Sequence, residues 1–369
     1  MKQNRFILPF ALAAVLTLSS WGDVGHSMIS FRINLSFNEE MEMFNDWVFY
    51  LTEHASDADW RKRDDPEEGP KHYIDIDNYQ VFVDEGRIPQ SLETCIDSYG
   101  EQFVDDNGYL PWATLAMYDS VVSCLRRDDI GNAKRFAADL GHYVADGHMP
   151  MHLTRNYDGQ FTGNKGIHAR YEIDMIGRYQ DRITYTGTPA RQIGNVEDYV
   201  FGYIYDNYVY MDSILIADDY ATEMGEGTGN DRYYLALWER TENLTHALFS
   251  KASHAIAELL YTAWVEAGRP GSTEQTGSGG LPFQKNSIQI IPNPVSTHAT
   301  VRSSLPLTDD LSVNIYDAAG RQALQLPLLP GGPGLQRFAF NPETLPDGAY
   351  VMVLLHPRLR IAEPFIIAR

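Results

Sequence analysis

The segment Leu140-Gly-His-Tyr-Val-Ala-Asp-Gly-His-Met-Pro-Met-His152 is the densest stretch of chemistry-bearing side chains in the chain. On a helix, His142 and Asp146 are four residues apart and share a face, so an imidazole and a carboxylate can converge on one ion. Pro150 then bends the chain and sends His152 in another direction. Sixteen residues later His168-Ala-Arg-Tyr-Glu172 repeats the i,i+4 spacing. Neutral imidazoles with a carboxylate suit Zn²⁺ and leave a position open for water. The same nitrogen and oxygen donors admit Mn or Fe in part. One His-x-x-x-Asp/Glu pair is commonly a surface accident, but two pairs accompanied by His152 and His72 point to metal.

Two further pieces belong with this set. Asp59 precedes His72 by thirteen residues, and His72 opens the run His72-Tyr-Ile-Asp-Ile-Asp77. Trp21-Gly-Asp-Val-Gly-His26 follows a basic start (Lys2, Arg5), an apolar run from Phe6 to Leu18, and Ser19-Ser20. That order describes a cleavable secretory signal over residues 1–20. The run falls short of the roughly 20 apolar residues that a membrane span needs, so no stable span is expected. Cleavage after Ser20 would free the α-amino group of Trp21, a nitrogen donor that exists only after processing. Taken alone, Trp21 and His26 would be read as a buried tryptophan beside a structural histidine.

The elements that must position these groups are helical. Met41, Met43, Phe44, Trp47, Val48 and Leu51 recur at helical spacing. Ala133–Gly147 puts Phe136, Leu140, Tyr143 and Val144 on one side, and Tyr233–Val265 is one long apolar-periodic run. The stretch Gly268-Arg-Pro-Gly-Ser-Thr-Glu-Gln-Thr-Gly-Ser-Gly-Gly280 breaks the pattern as a polar linker, taken as residues 268–283. Beyond it the period changes to two, with strands expected over 287–291, 311–316, 337–340 and 349–355 in a small β-sandwich spanning 284–369. The expected architecture is therefore a mainly α catalytic domain over residues 21–267 followed by a small all-β sandwich.

Composition agrees with two globular domains. The chain has 369 residues, 44% hydrophobic and 12% aromatic, which argues against disorder. Lys and Arg number 29 against 50 Asp and Glu, and a net −24 falls between residues 21 and 283. A general basic nucleic-acid binder is thereby disfavoured, because such affinity comes from Lys and Arg neutralising phosphates. Two cysteines exclude a disulfide scaffold. Cys95 and Cys124 could pair after export, closing a loop worth roughly 3–4 kcal/mol, or stay buried as thiols.

Together, these motifs resemble the superfamily of zinc-dependent phospholipases C and zinc-dependent single-strand-specific nucleases, across roughly residues 21–266. The resemblance implies three zinc ions in a cleft of a mostly helical domain. Trp21 (amine and carbonyl) and His26 would hold one ion; Asp59, His72 and His142 a second, with Asp146 bridging the two; His152, His168 and Glu172 the third. The spacing Trp21-Gly-x-x-Gly-His26 looks more like the nucleases. Gly166-Ile-His-Ala-Arg-Tyr-Glu172, the runs Glu53–Asp59 and His72–Asp77, and Asn156-Tyr-Asp-Gly-Gln160 look more like the phospholipases. Only Cys95 and Cys124 are present, so the nuclease disulfide arrangement finds no match.

Three Zn²⁺ against Asp59, Asp146 and Glu172 would leave the pocket locally about +3 and able to attract a phosphodiester despite the acidic surroundings. The resemblance implies a secreted phosphodiester hydrolase, phospholipase C-like, in which a hydroxide shared by two ions attacks phosphorus in line. The third ion would stabilise charge on the phosphoryl oxygens and leaving group. Asp146 bridges in that scheme, and Asp59 either ligates or deprotonates the water. The substrate is a phospholipid headgroup or, alternatively, single-stranded nucleic acid cleaved by an endonuclease with 3′-nucleotidase activity. An alternative of another class is a catalytically silent, metal-stabilised surface binding protein.

Asp75, Asp77 and His148 lie beside ligand positions and could hold imidazoles by hydrogen bonds or simply face solvent. Arg61, Lys62 and Arg63 read as a solvated charge run that could touch phosphate. Trp112 reads as core or as a substrate wall. His54, His246 and His254 read as packing or surface residues, and His298 and His356 belong to the sandwich. Within that sandwich, Ile290-Ile-Pro-Asn-Pro294, Val313-Asn-Ile-Tyr-Asp-Ala-Ala-Gly-Arg321 and Leu345-Pro-Asp-Gly-Ala-Tyr-Val351 resemble the C-terminal sorting domain of type IX (Por) secretion. A carbohydrate- or surface-binding sandwich is the alternative. The resemblance implies export through the periplasm to the cell surface or medium, with the secretion machinery as a partner.

Overall fold

The computed structural model describes residues 22–271, 288–291, 294–297, 299–303, 312–326, 336–340, 342, 344–356 and 359–369. The signal segment, Trp21 and nearly all of the linker lie outside the described residues. Helices α1 (Gly22–Phe31), α2 (Val48–Glu53), α3 (Asp57–Arg61), α4 (Gln80–Glu85), α5 (Leu92–Tyr99), α6 (Glu101–Asn107) and α7 (Leu110–Arg126) form the first half of the helical part. The second half comprises α8 (Ile130–Asp146), α9 (Ile167–Ala169), α10 (Ile176–Tyr179), α11 (Val196–Tyr208), α12 (Met211–Gly225) and α13 (Asp231–Glu266). A π-helical turn, Arg170–Met175, continues α9 into α10.

The element that organises the helical part is α8. The Asp129 side chain accepts from Asn132 N and starts the helix. Every residue from Ala137 to Asp146 is buried, so this half has no solvent face. Small residues (Ala137, Ala138, Gly141, Ala145) let neighbours approach on all sides. One apolar core, built from α1, α7, α8, α12 and α13, contains Ile29, Leu140, Val144, Leu237 and Ile256. A second contains Ile74, Tyr79, Leu110, Tyr143, Leu153 and Phe201. Because α8 contributes to both, its polar residues are held between two packed walls.

The long run from Tyr233 is one helix of 36 residues, started by the Asn230 side chain accepting from Tyr233 N, and is about 54 Å long. The Met41–Leu51 stretch is instead split into a 3₁₀ turn, Glu42–Asp46, followed by α2. In a 3₁₀ turn residues i and i+3 eclipse, which brings Phe44 edge-on to Trp47 at 4.9 Å between ring centroids.

The C-terminal part has two antiparallel sheets. Strands β1 (Ile288–Ile291), β2 (Ala299–Ser303) and β5 (Gln336–Phe340) pair in the order β1-β2-β5. Strands β3 (Ser312–Asp317), β4 (Gln322–Leu326), β6 (Gly348–His356) and β7 (Leu359–Ile367) pair as β4-β3-β6-β7. Val301 and Phe340 from one sheet and Val313, Ile315, Met352, Leu354 and Phe365 from the other share one apolar core. The expected mainly α part followed by an all-β sandwich is what the structure has. Phe31 packs on Val351 and Val353, and Phe49 meets the Tyr316 ring at 4.8 Å.

Candidate metal centre

Eight of the nine residues expected to ligate metal fall within the described residues, and the structure brings all eight together, each buried. His26 sits one turn into α1, Asp59 in α3, His72 at the end of a short 3₁₀ turn, and His142 and Asp146 in the buried half of α8. Pro150 starts the turn that carries His152, and His168 and Glu172 straddle the junction of α9 with the π turn. Their donor atoms form three groups: His26, His142 and Asp146; Asp59, His72 and His142; and His152, His168 and Glu172. Within each group the donor atoms lie within 4.8 Å of one another. Geometry thus assigns His142 to the first group as well as the second. Trp21 lies outside the described residues.

Asp146 faces two ways. Its Oδ1 is 3.5 Å from His26 Nε2, while its Oδ2 is 3.0 Å from His72 Nδ1 and 3.3 Å from His142 Nε2. This is how a carboxylate must stand to serve two ions. Two ligands about 2.0–2.2 Å from a tetrahedral ion are themselves about 3.3 Å apart. The spacings here bracket that value: His72 Nδ1 to His142 Nε2 is 2.9 Å, His152 Nε2 to His168 Nε2 is 3.2 Å, and His142 Nε2 to Asp59 Oδ1 is 3.7 Å.

The remaining ring nitrogens explain the orientation. His142, His152 and His168 each direct Nδ1 at a backbone carbonyl, of Ala55 (2.7 Å), His72 (2.7 Å) and Tyr157 (3.0 Å). A donated Nδ1–H fixes the tautomer in which Nε2 offers its lone pair to the cluster. His72 is reversed: Nδ1 turns to the cluster and Nε2 faces the Glu68 carboxylate at 3.6 Å.

Buried carboxylates lacking hydrogen bonds test whether cations fit. Asp146 Oδ1 and Glu172 Oε1 have none, and Glu172 Oε2 meets only imidazole nitrogens, His168 Nε2 at 2.6 Å and His152 Nε2 at 3.5 Å, among the described residues. Leaving such groups without a counter-charge costs several kcal/mol, and a divalent cation removes the cost. Burial pulls His142 down, but Asp146 and Asp59 overcome it and lift its imidazole to about 9. Burial, reinforced by the charge on His142, drops His26 to about 3. Burial favours the protonated acid in Asp146 and Glu172, yet the facing imidazoles hold both carboxyls below their ordinary range. The site is built for anionic oxygens among electropositive partners.

Sequence reasoning missed Glu68. It is 2% exposed, accepts from Arg61, Lys71 and the Tyr143 hydroxyl, and these partners with His72 hold its carboxyl low against the pull of burial. The signal was present as the i,i+4 spacing Glu68-x-x-x-His72. The groups proposed for that orienting role go elsewhere. Asp77 accepts from Thr154 Oγ1 and Arg155 N, His148 Nδ1 binds Val144 O, and burial beside Asp77 raises Asp75 to about 7.

The basic run is not one solvated face. Arg61 turns inward to Asp139 and Glu68, and Lys62 Nζ lies 2.5 Å from Asp59 Oδ1. Trp112 is core, with Nε1 donating to Gln90 O. Cys95 and Cys124 are free, buried thiols. His54 pairs with Asp57, His246 accepts from Thr184 N, and His254 lies between Ser36 and Glu258. His298 and the side chain of His356 lie outside the described residues. No described helix is long and apolar enough to cross a membrane.

No protein-family profile and no curated protein matches the chain. Among solved structures it is similar to the alpha toxin from Clostridium absonum, at 11% identity and a TM-score of 0.43, covering 96% of this chain and 97% of that one. It is also similar to a Clostridium perfringens alpha-toxin isolated from avian strain SWCP, at 8% identity and a TM-score of 0.44, covering 95% and 99%. Likeness at that level decides nothing about the site. The class of protein is therefore set by its own geometry: a helical domain enclosing three buried His/carboxylate clusters, followed by a β-sandwich.

Proposed function

We propose that the chain is a zinc-dependent phosphoric diester hydrolase of phospholipase C type, with its metal centre formed by Trp21, His26, Asp59, His72, His142, Asp146, His152, His168 and Glu172. The observation that carries this reading is the two-way stance of Asp146 between two donor groups, with His152 of the third group 3.6 Å from Asp146 Oδ1. Bound zinc supplies Lewis acidity toward a phosphoryl oxygen and lowers the pKa of water toward about 7. The chain's residues then have distinct tasks. Asp59, beside His72 and His142, is placed to orient a water and accept its proton. Asp146 holds two donor groups in register, and the carbonyl-bonded imidazoles resist rotation as charge builds on substrate. Lys62, against Asp59, adds a positive charge at a partly exposed position.

The domain plan accompanying this reading is a signal over residues 1–20, the catalytic domain over 21–267, the linker over 268–283 and the sandwich over 284–369 as a type IX sorting domain. That plan makes the protein secreted or cell-surface. Its support is the sequence of the N-terminus and of the three C-terminal motifs.

The choice of substrate is tested by giving the processed protein a phosphocholine diester and single-stranded DNA, with and without a chelator. Chelator-sensitive turnover of the phosphocholine diester is expected. Preference for DNA would move the assignment to the single-strand nuclease alternative. Turnover of neither would favour a silent metal-stabilised binding protein.

A further inference from the structure

The three clusters differ in how their ligands are anchored. His142 and Asp146 are fixed by a helix that is packed on all sides, whereas His168 and Glu172 ride on a three-residue helix and a π turn. Such short elements have little intrinsic stability, and something outside them must set their position. The preceding loop, 156–166, is likewise irregular, yet its Tyr157 carbonyl is the group that accepts from His168 Nδ1.

Both the loop and the turn converge on one buried carboxylate in α12. Asp218, 2% exposed, receives the Arg170 guanidinium on both oxygens (Nη2 at 2.9 Å to each, Nε at 3.2 Å to Oδ1) and the Tyr233 hydroxyl. Arg170 lies between His168 and Glu172 in sequence and also donates to the carbonyls of Asn164 and Lys165, at 3.1 and 2.8 Å. Asn164, 3% exposed, donates from Nδ2 to Asp218 Oδ2 at 3.0 Å and to Asp219 Oδ1 at 2.7 Å. Asn164 in turn closes the loop by donating its N–H to Gly159 O at 3.0 Å. Gly159 has φ +69°, and a Cβ there would come within 2.5 Å of Asn164 Cβ, so the closure demands glycine. A continuous set of contacts therefore runs from Asp218 through Asn164 and its loop to the carbonyl that orients His168. A second branch runs through Arg170 to the turn that carries Glu172.

We propose that Asp218 is a positioning residue for the third cluster: it touches none of His152, His168 or Glu172, but through Asn164 and Arg170 it fixes the tautomer of His168 and the register of Glu172. The inference rests on the metal-centre reading for its consequence and on hydrogen bonding alone for its geometry. A charge-assisted pair inside a low-dielectric wall is stiff, and partners that orient a ligand typically govern metal affinity by about 10–100-fold.

The test uses the processed full chain, Asp218→Ala and Asn164→Ala, with Asp231→Ala as a surface control, since Asp231 pairs only with exposed Arg178 among these contacts. Zinc is titrated into each, and exchange of the imidazole ring protons is followed by NMR in the metal-free proteins. Wild type and the control are expected to bind three ions. Both other variants should hold one of the three about 10–100-fold more weakly, with faster exchange at His168 Nδ1 and unchanged exchange at His142 Nδ1. Unchanged affinity for every ion with unchanged His168 exchange would overturn the inference while leaving the metal centre intact. Equal weakening of all three ions in both variants would also overturn it, by making Asp218 a general fold element. A wild type that binds no zinc would sink the metal reading, and the His168 exchange comparison would still decide the positioning claim.

Discussion

In the helical part, the eight described side chains of the three donor groups, from His26 to Glu172, are more than nine-tenths buried and face one another. In the sandwich, among the described residues, the core formed by Val301, Val313, Ile315, Met352, Leu354 and Phe365 contains no acidic or basic side chain, and Tyr350 is its one titratable member. Both parts exclude water, but only one retains charge after doing so. Burying a charge is costly unless it is paired, so a fold that needed only stability would look like the sandwich. The contrast marks the helical interior as shaped for binding and the sandwich as shaped for packing.

Four substitutions can break or sharpen that contrast. The largest effect is expected from His142→Ala, which removes a donor shared by two groups: turnover should fall to background and metal should be lost on dialysis. Retained zinc and rate would show that α8 is not the seat of the chemistry. Next, Met352→Ala in the sandwich should cost about 2–5 kcal/mol by leaving a cavity, visible in denaturant unfolding of the C-terminal part, with no change in zinc content. A change in zinc content there would mean the two parts are not separate in purpose.

Glu68→Gln keeps the shape but removes the charge facing His72 Nε2, and should lower zinc affinity or rate by about 10–100-fold, measured by competition with a chelator. The smallest effect concerns pH. Burial beside Asp77 raises the Asp75 carboxyl to about 7 from 3.8. The folded state thus favours the neutral acid, a preference fully satisfied below about pH 4 and lost as pH rises through 7. Asp75→Asn should therefore match wild type in thermal unfolding at pH 4 and exceed it at pH 8 by about 1–3 kcal/mol. The reverse order would show Asp75 to be a needed anion.

Much of this was legible in the chain. The i,i+4 pairs His142/Asp146 and His168/Glu172 and the bend at Pro150 follow from helix geometry and proline chemistry, which act locally. The long helices α8 and α13 announce themselves by period. What could not be read depends on contacts distant in sequence. The carbonyls of Ala55, His72 and Tyr157 that orient three imidazoles carry no side-chain signature. Asp218 meets Arg170 across 48 positions.

Strand β7 is hard to read from sequence because Pro364 argues against a strand; the order β4-β3-β6-β7 puts it at an edge, where a missing N–H is tolerated. Strand β4, Gln322-Ala-Leu-Gln-Leu326, is largely exposed and has no β-branched or aromatic residue to mark it. The contrast between Cys95 and Cys124 as a disulfide or as thiols likewise needed the fold, which places them in separate cores.

The central claim is that three donor groups, two of them joined by Asp146, hold metal for phosphodiester hydrolysis. Elemental analysis of the signal-processed chain, read alongside its rate on a phosphocholine diester as zinc is withdrawn and restored, tests this most directly. The account predicts three zinc ions per chain and a rate that vanishes and returns with them. Hydrolysis that persists after all metal has been stripped, or a processed chain that takes up no zinc, would contradict it.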